Sequence, residues 1–185
     1  GSFKLTAAAQ TTGDDDRGWS PLFTAALKPS ASPVVKEVDI KALRKTCKKS
    51  KSMSKFITKC RESRSPFGLA GGKVVQSLHI GDGQVLMQLR TSKIEEVDAP
   101  QFAISPSILN ACLTVFTALS SDDSRDAWIP ESVGSIYIGP EQEMPLWVWA
   151  QTKESPAESQ SIIAHISFLS ESGQVLFHIE DVSLI

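Results

Sequence analysis

The sequence predicts an α+β fold in which one buried helix is wrapped by a curved antiparallel sheet. Three observations carry this. Residues 104–119 are apolar around most of a helical circumference, with Ile108, Leu109, Ala111, Cys112, Leu113, Val115, Phe116 and Leu119 all in that run, and a helix so apolar belongs inside a core. The segments after residue 73 change to a period of two, the signature of strands. Turn signals at Gly81-Asp82-Gly83 and Glu171-Ser172-Gly173 join neighbouring runs of this kind, so consecutive strands pair antiparallel.

In chain order, residues 3–10 read as a strand, followed by the acidic turn Asp14-Asp15-Asp16-Arg17-Gly18 and an apolar stretch over 19–27. Pro29, Ser30, Ser32 and Pro33 then mark a linker, because these residues favour turns and extended chain. Asp39 is placed to cap a short helix beginning at Ile40, since a carboxylate there accepts from backbone N–H groups without a helical partner. A second helix follows, with Met53, Phe56, Ile57 and Cys60 at i, i+3, i+4 and i+7, Ser52 or Ser54 as caps, and Pro66 beyond its end. Strands are expected over 74–80 and 84–91, the long helix over about 106–119 behind Ser105-Pro106, and further strands over 127–138, 146–153, 161–169 and 175–184. One central helix within an antiparallel meander is the hotdog arrangement. The expected division is residues 1–36 as N-terminal strands plus linker and 37–185 as a single domain.

A chain of 185 residues suits one domain and a linker. No apolar run reaches the ~18 residues of a membrane helix. Gly1-Ser2 has the form of a tag-cleavage scar, and no signal peptide follows. Cys47, Cys60 and Cys112 lack CxxC spacing, which argues against a disulfide framework or zinc ribbon and for a reducing, cytoplasmic setting. The net charge of −2 hides an asymmetry: residues 36–64 hold eleven of the nineteen Lys and Arg against Glu37, Asp39 and Glu62. That segment is therefore +8 and the remainder −10. Such a run is ordinarily a solvated helical face, and it also attracts an acidic partner, nucleic acid or anionic lipid.

The order of several segments resembles polyketide synthase dehydratase domains, and their second half in particular. The segments are Val38-Asp-Ile-Lys-Ala-Leu-Arg-Lys-Thr-Cys47, the helix running to Arg64, Phe67-Gly68, and Ile104-Ser-Pro-Ser-Ile-Leu-Asn-Ala-Cys-Leu113. In that family a short helix leads to Tyr-Gly-Pro-x-Phe, a hairpin, and a helix opening His-Pro-x-Leu-Leu-Asp-x-x-x-Gln. Ala127-Trp-Ile-Pro130, Trp147-Val-Trp-Ala150 and Gly173-Gln-Val-Leu-Phe-His-Ile-Glu-Asp-Val182 resemble its later strands, and residues 3–27 resemble the last two strands of its first hotdog.

The resemblance implies dehydration of a β-hydroxyacyl thioester by a His of the first hotdog and the helix Asp of the second. Here the Asp position holds Asn110, the Gln position holds Thr114, and Tyr-Gly-Pro has become Phe67-Gly68-Leu69. The His-x-x-x-Gly-x-x-x-x-Pro motif is absent from these residues. An amide hydrogen-bonds a hydroxyl but cannot hand over a proton, so no catalytic residue is expected. Ser107, Asn110, Thr114 and Thr117 form one polar stripe on the helix, and with Phe67 they are the candidate lining of a residual pocket. The stripe equally suits solvent or caps on neighbouring backbone.

The expected role is that of a dehydratase-like, non-catalytic domain organising neighbouring synthase domains, forming a homodimer, or docking an acidic acyl carrier protein through Lys45, Lys48, Lys49, Lys51, Lys55 and Lys59. One alternative is a dehydratase, isomerase or cyclase acting on a carrier-bound chain with its His supplied from outside. Another is a nucleic-acid-binding module. That reading is disfavoured because Phe56 is the only aromatic residue in the basic helices and base stacking needs more. No cofactor, metal or membrane partner is expected. His79, His165 and His178 all fall in strands; His165 and His178 are near-opposite in some registers, and two ligands are too few for a metal.

Overall fold

The computed structural model describes residues 3–10, 19–27, 37–62, 74–90, 106–119, 129–140, 143–153 and 161–185. The chain forms two compact units, residues 1–32 and 33–185. In the first, β1 (Phe3–Gln10) and β2 (Trp19–Leu27) pair antiparallel as a two-stranded sheet.

The second unit is built on a seven-stranded sheet in the order β3-β4-β5-β7-β8-β9-β6, with every neighbouring pair antiparallel. Its strands are β3 (Lys49–Ser50), β4 (Val75–Gly81), β5 (Gln84–Leu89), β6 (Pro130–Ile138), β7 (Trp147–Thr152), β8 (Ile162–Leu169) and β9 (Val175–Leu184). The period-two segments of the sequence are strands as expected. The two-residue β3 carries no sequence signal and exists only through its pairing with Ile80 and His79.

Alternation sets the faces. Val85, Met87, Val148, Ala150, Ala164, Ile166, Phe168, Phe177 and Ile179 form one core with Phe56, Ile108, Cys112, Val115 and Phe116 from the helices. Phe168 and Phe177, opposite each other on β8 and β9, meet edge to face with ring centres 5.1 Å apart. Helix α2 (Met53–Glu62) contributes buried Phe56 and Cys60 to this side.

The expected single helix is two segments, α3 (Pro106–Leu113) and α4 (Val115–Leu119), with Thr114 between them. Thr117 N–H bonds to the Thr114 carbonyl at 3.0 Å. This three-residue step is tighter than the α-helical four, so the apolar run turns at Thr114 while keeping its place in the core.

The opposite face of the sheet carries a second, smaller core. Helix α1 (Ile40–Thr46) lies here, with Leu43 and Cys47 buried among Val38, Leu86, Trp147, Leu169 and Val175. Asp39 Oδ1 accepts from the N–H groups of Lys41 (2.9 Å) and Ala42 (3.0 Å), the cap expected from the sequence. The chain enters α1 through a tie to the β8–β9 turn, where Val38 N–H donates to the Gly173 carbonyl at 2.9 Å. Gly173 has φ 100, and a Cβ there would collide with the Val38 carbonyl.

Candidate functional site

Helices α3 and α4 pack on the inner face of the sheet and carry the polar stripe. Asn110 is half-buried, while Thr114 and Thr117 are buried. The Thr117 hydroxyl meets the thiol of Cys60 on α2, so this end of the stripe serves helix packing. Ser107 lies in the first turn of α3, and its side chain is outside the described set, as is all of Phe67. The structure therefore brings Thr117 to α2, leaves Asn110 half-open to its surroundings, and is silent on Phe67.

Among the described residues of this core the titratable side chains are the thiols of Cys60 and Cys112, with no histidine or carboxylate. The Cys112 thiol is fully buried and pushed well above its ordinary range by that burial. Burial also raises Cys60, against smaller opposing effects from the Thr117 hydrogen bond and the charges of Lys59 and Lys51.

The histidines stand on the other side of the sheet. Leu78, Ala164, Ile166, Phe177 and Ile179 point into the α3 core, so alternation sends their neighbours His79, His165 and His178 to the opposite face. His79 Nε2 lies 3.5 Å from Ser77 Oγ, and burial followed by the nearby Arg44 charge lowers its pKa. His165 and His178 stack with ring centres 6.1 Å apart and planes 18° off parallel. His178 sits opposite Ser167 rather than His165, with its Nδ1 2.9 Å from Ser167 Oγ. Burial, then the neighbouring His165, lowers the His178 pKa against a smaller opposing effect of Glu180. Among the described residues no three His, Cys, Asp or Glu converge as a metal site, and no helix is long and apolar enough to cross a membrane.

The basic segment runs from α1 on the outer core, through the end strand β3, to α2 on the inner core. Lys45, Lys48, Lys49 and Lys55 are exposed, whereas Lys51 and Lys59 are half-buried and lie close enough to Cys60 for their charges to act on it. Exposed Lys41, Arg44 and Arg61 belong to the same elements.

Residues 38–185 match the family described as the polyketide synthase dehydratase N-terminal domain. The chain belongs to this dehydratase family. That description names an N-terminal domain, where the sequence alone led to the expectation of the family's second half. No curated protein sequence matches significantly.

Solved dehydratases share the fold. The dehydratase domain from the CurJ module of the Curacin polyketide synthase is 14% identical, with a TM-score of 0.75 over 99% of this chain and 63% of that one. A trans-AT polyketide synthase dehydratase domain from Brevibacillus brevis is 17% identical, with a TM-score of 0.79 over 100% of this chain and 64% of that one. A CurK dehydratase mutant with aspartate changed to asparagine, described as inactive, is 17% identical with a TM-score of 0.73, covering 100% of this chain and 64% of that one. The hotdog arrangement read from the sequence is the fold of these domains. This chain spans less than two thirds of their length.

What the sequence reading missed is the use of the outer face. Trp147 and Trp149 were readable as sharing one side of a strand, but the seating of α1 on that side was not. The amphipathic pair Leu43 and Cys47, four residues apart, is the signal that such a surface existed.

Proposed function

We propose that residues 37–185 form a dehydratase-like hotdog of a polyketide synthase that does not itself dehydrate, and that corresponds to the second of two hotdogs. Its work is structural, with docking of an acyl carrier protein and pairing with another domain or copy. The observation that carries this reading is Asn110. It occupies the position where the resemblance calls for the helix aspartate, and the chain's three histidines lie across the sheet from it. Elimination of water needs one group to take the α-proton and another to protonate the leaving hydroxyl. An amide does neither, and the CurK mutant described as inactive carries the corresponding change of residue type.

Two surfaces support the structural role. The exposed lysines of α1, β3 and α2 offer an electrostatic landing site for an acidic carrier protein, which steers association more than it adds affinity. Among the described residues, strand β6 has a strand neighbour on one side only, β9, and it exposes Val133, Ile136 and Ile138. Edge strands with apolar side chains are ordinarily covered, which supports pairing of this edge.

The test is incubation with a β-hydroxyacyl chain on a carrier protein, followed by mass spectrometry for loss of water. No turnover above a buffer control is expected. Clear turnover overturns the proposal. Turnover that appears only when a first-hotdog half is added supports the alternative of an enzyme completed from outside these residues.

A further inference from the structure

Near its end, β9 carries one residue more than β8. Ala164 pairs with Val182 and Ile166 with Ile179, so His165 alone faces Glu180 and Asp181. Asp181 takes φ 53, the left-handed region that is uncommon for non-glycine residues and that aspartate tolerates better than most. Strand β6 follows the bulge, and it does so at Gly134, where a Cβ would lie 2.8 Å from the Asp181 Cβ.

Two contacts hold Asp181. Its backbone N–H donates to His165 Nδ1 at 3.2 Å, and its Oδ1 accepts from Lys153 Nζ at 2.6 Å. An imidazole nitrogen accepts a hydrogen bond only while it carries no proton. The bond therefore requires an unprotonated Nδ1, while the other ring nitrogen, Nε2, lies 3.9 Å from Asp181 Oδ1.

We propose that His165 is a proton-sensitive latch on this bulge: the neutral ring holds the Asp181 N–H, and a proton arriving at Nδ1 releases it. Two donors then face each other where a donor met an acceptor, while Nε2–H keeps its attraction for the carboxylate. A backbone hydrogen bond is exchanged for an ion pair. The segment beyond the latch holds the first part of β6, since Val182, Ser183 and Leu184 pair with Val133, Ser132 and Pro130, while the residues before it hold the rest, from the pair Ser135 and Glu180 to the pair Ile138 and Phe177. Acidification thus loosens the β9 segment that holds the start of the edge strand, Pro130 to Val133.

The surroundings set the charge balance. From β9, His178 stacks on the ring, and Glu180 flanks the bulge. From β7, Gln151 is the pairing partner of His165, and Lys153 holds the carboxylate. From β6, Tyr137 lies opposite His178.

The test is two-dimensional NMR on ¹⁵N-labelled protein, following the His165 ring and the Asp181 amide through one pH series. Hydrogen exchange is read at the same amide, corrected for intrinsic rates. The Asp181 amide is expected to titrate with the midpoint of the His165 ring, and its protection to fall on the order of five- to tenfold, the loss of one hydrogen bond. His165→Asn puts an amide oxygen where Nδ1 accepts and removes the titration, so protection should persist without pH dependence. His178→Gln should leave the coupling in place. An Asp181 amide indifferent to the His165 titration in the unaltered protein overturns the latch, as does full pH dependence in H165N.

Discussion

The guanidinium of Arg44 lies over the indole of Trp147, 5.8 Å from the ring centre. This contact joins the basic helix α1 to the outer face of the sheet, where Leu43 and Cys47 are buried against Leu86 and Trp147. The same helix thus covers apolar surface and presents positive charge.

The packing of α1 yields the first prediction. Leu43→Ala removes buried side-chain volume and should cost about 2–5 kcal/mol. Arg44→Ala loses an exposed cation–π contact and should cost about 0.5–1 kcal/mol. Urea unfolding monitored by tryptophan fluorescence separates the two. Equal, negligible losses would mean that α1 does not form this second core.

Asn110→Asp should fail to restore dehydration in this chain. Each missing acid–base group is worth about 100- to 10,000-fold in rate, and the substitution supplies only one. His79, His165 and His178 remain on the far face. Single-turnover assays with a carrier-bound β-hydroxyacyl substrate decide this, and water loss by the N110D chain alone would contradict it.

Reversing Lys45, Lys48, Lys49 and Lys55 to Glu together should weaken binding of an acidic carrier protein. The expected loss is at least about tenfold, seen mainly in the association rate. The unaltered chain's affinity should fall as salt rises. Surface plasmon resonance at two ionic strengths measures both, and a salt-independent affinity would remove the electrostatic account.

Stability should decrease on acidification, with His178 contributing. Burial, assisted by His165, lowers its pKa from the ordinary 6.5. The unfolded chain therefore binds the proton more readily than the folded one. The stabilisation is full above the unfolded value and is lost as pH falls through it and on through the folded value. His178→Phe should flatten this part of the pH dependence, measured as unfolding midpoints between neutral and mildly acidic pH.

Gly173→Ala should destabilise by about 1–3 kcal/mol. The residue has φ 100, and the added methyl meets the carbonyl of Val38, whose N–H in turn bonds to Gly173. Thermal unfolding reports the loss. A neutral result would show that the tie between the β8–β9 turn and the start of α1 yields freely.

Much of the fold was legible in the sequence because its signals are local. Alternation marks Val85, Met87, Val148 and Ala150 as one face of their strands, and Asp39 marks a helix start whatever lies elsewhere. That residue 110 carries an amide and not a carboxylate was equally plain, since Asn110 is read directly. The family resemblance rested on the order of such local signals.

Other features depend on partners distant in sequence, and only the tertiary structure decided them. Local alternation gives the parity of His165 and His178 but not the face it selects; the core of α3 and α4 on the other side does that. The stretch Val182-Ser183-Leu184 reads as plain strand, yet Asp181 just before it bulges because β8 supplies one residue, His165, where β9 supplies two. The turn at Thr114 divides a run that reads as one continuous helix, and the two-residue β3 forms only against β4. The sequence alone determined which elements form and which chemical groups they carry, through short-range backbone preference and side-chain spacing. Which groups meet was decided by long-range strand register and close packing, which no local window contains.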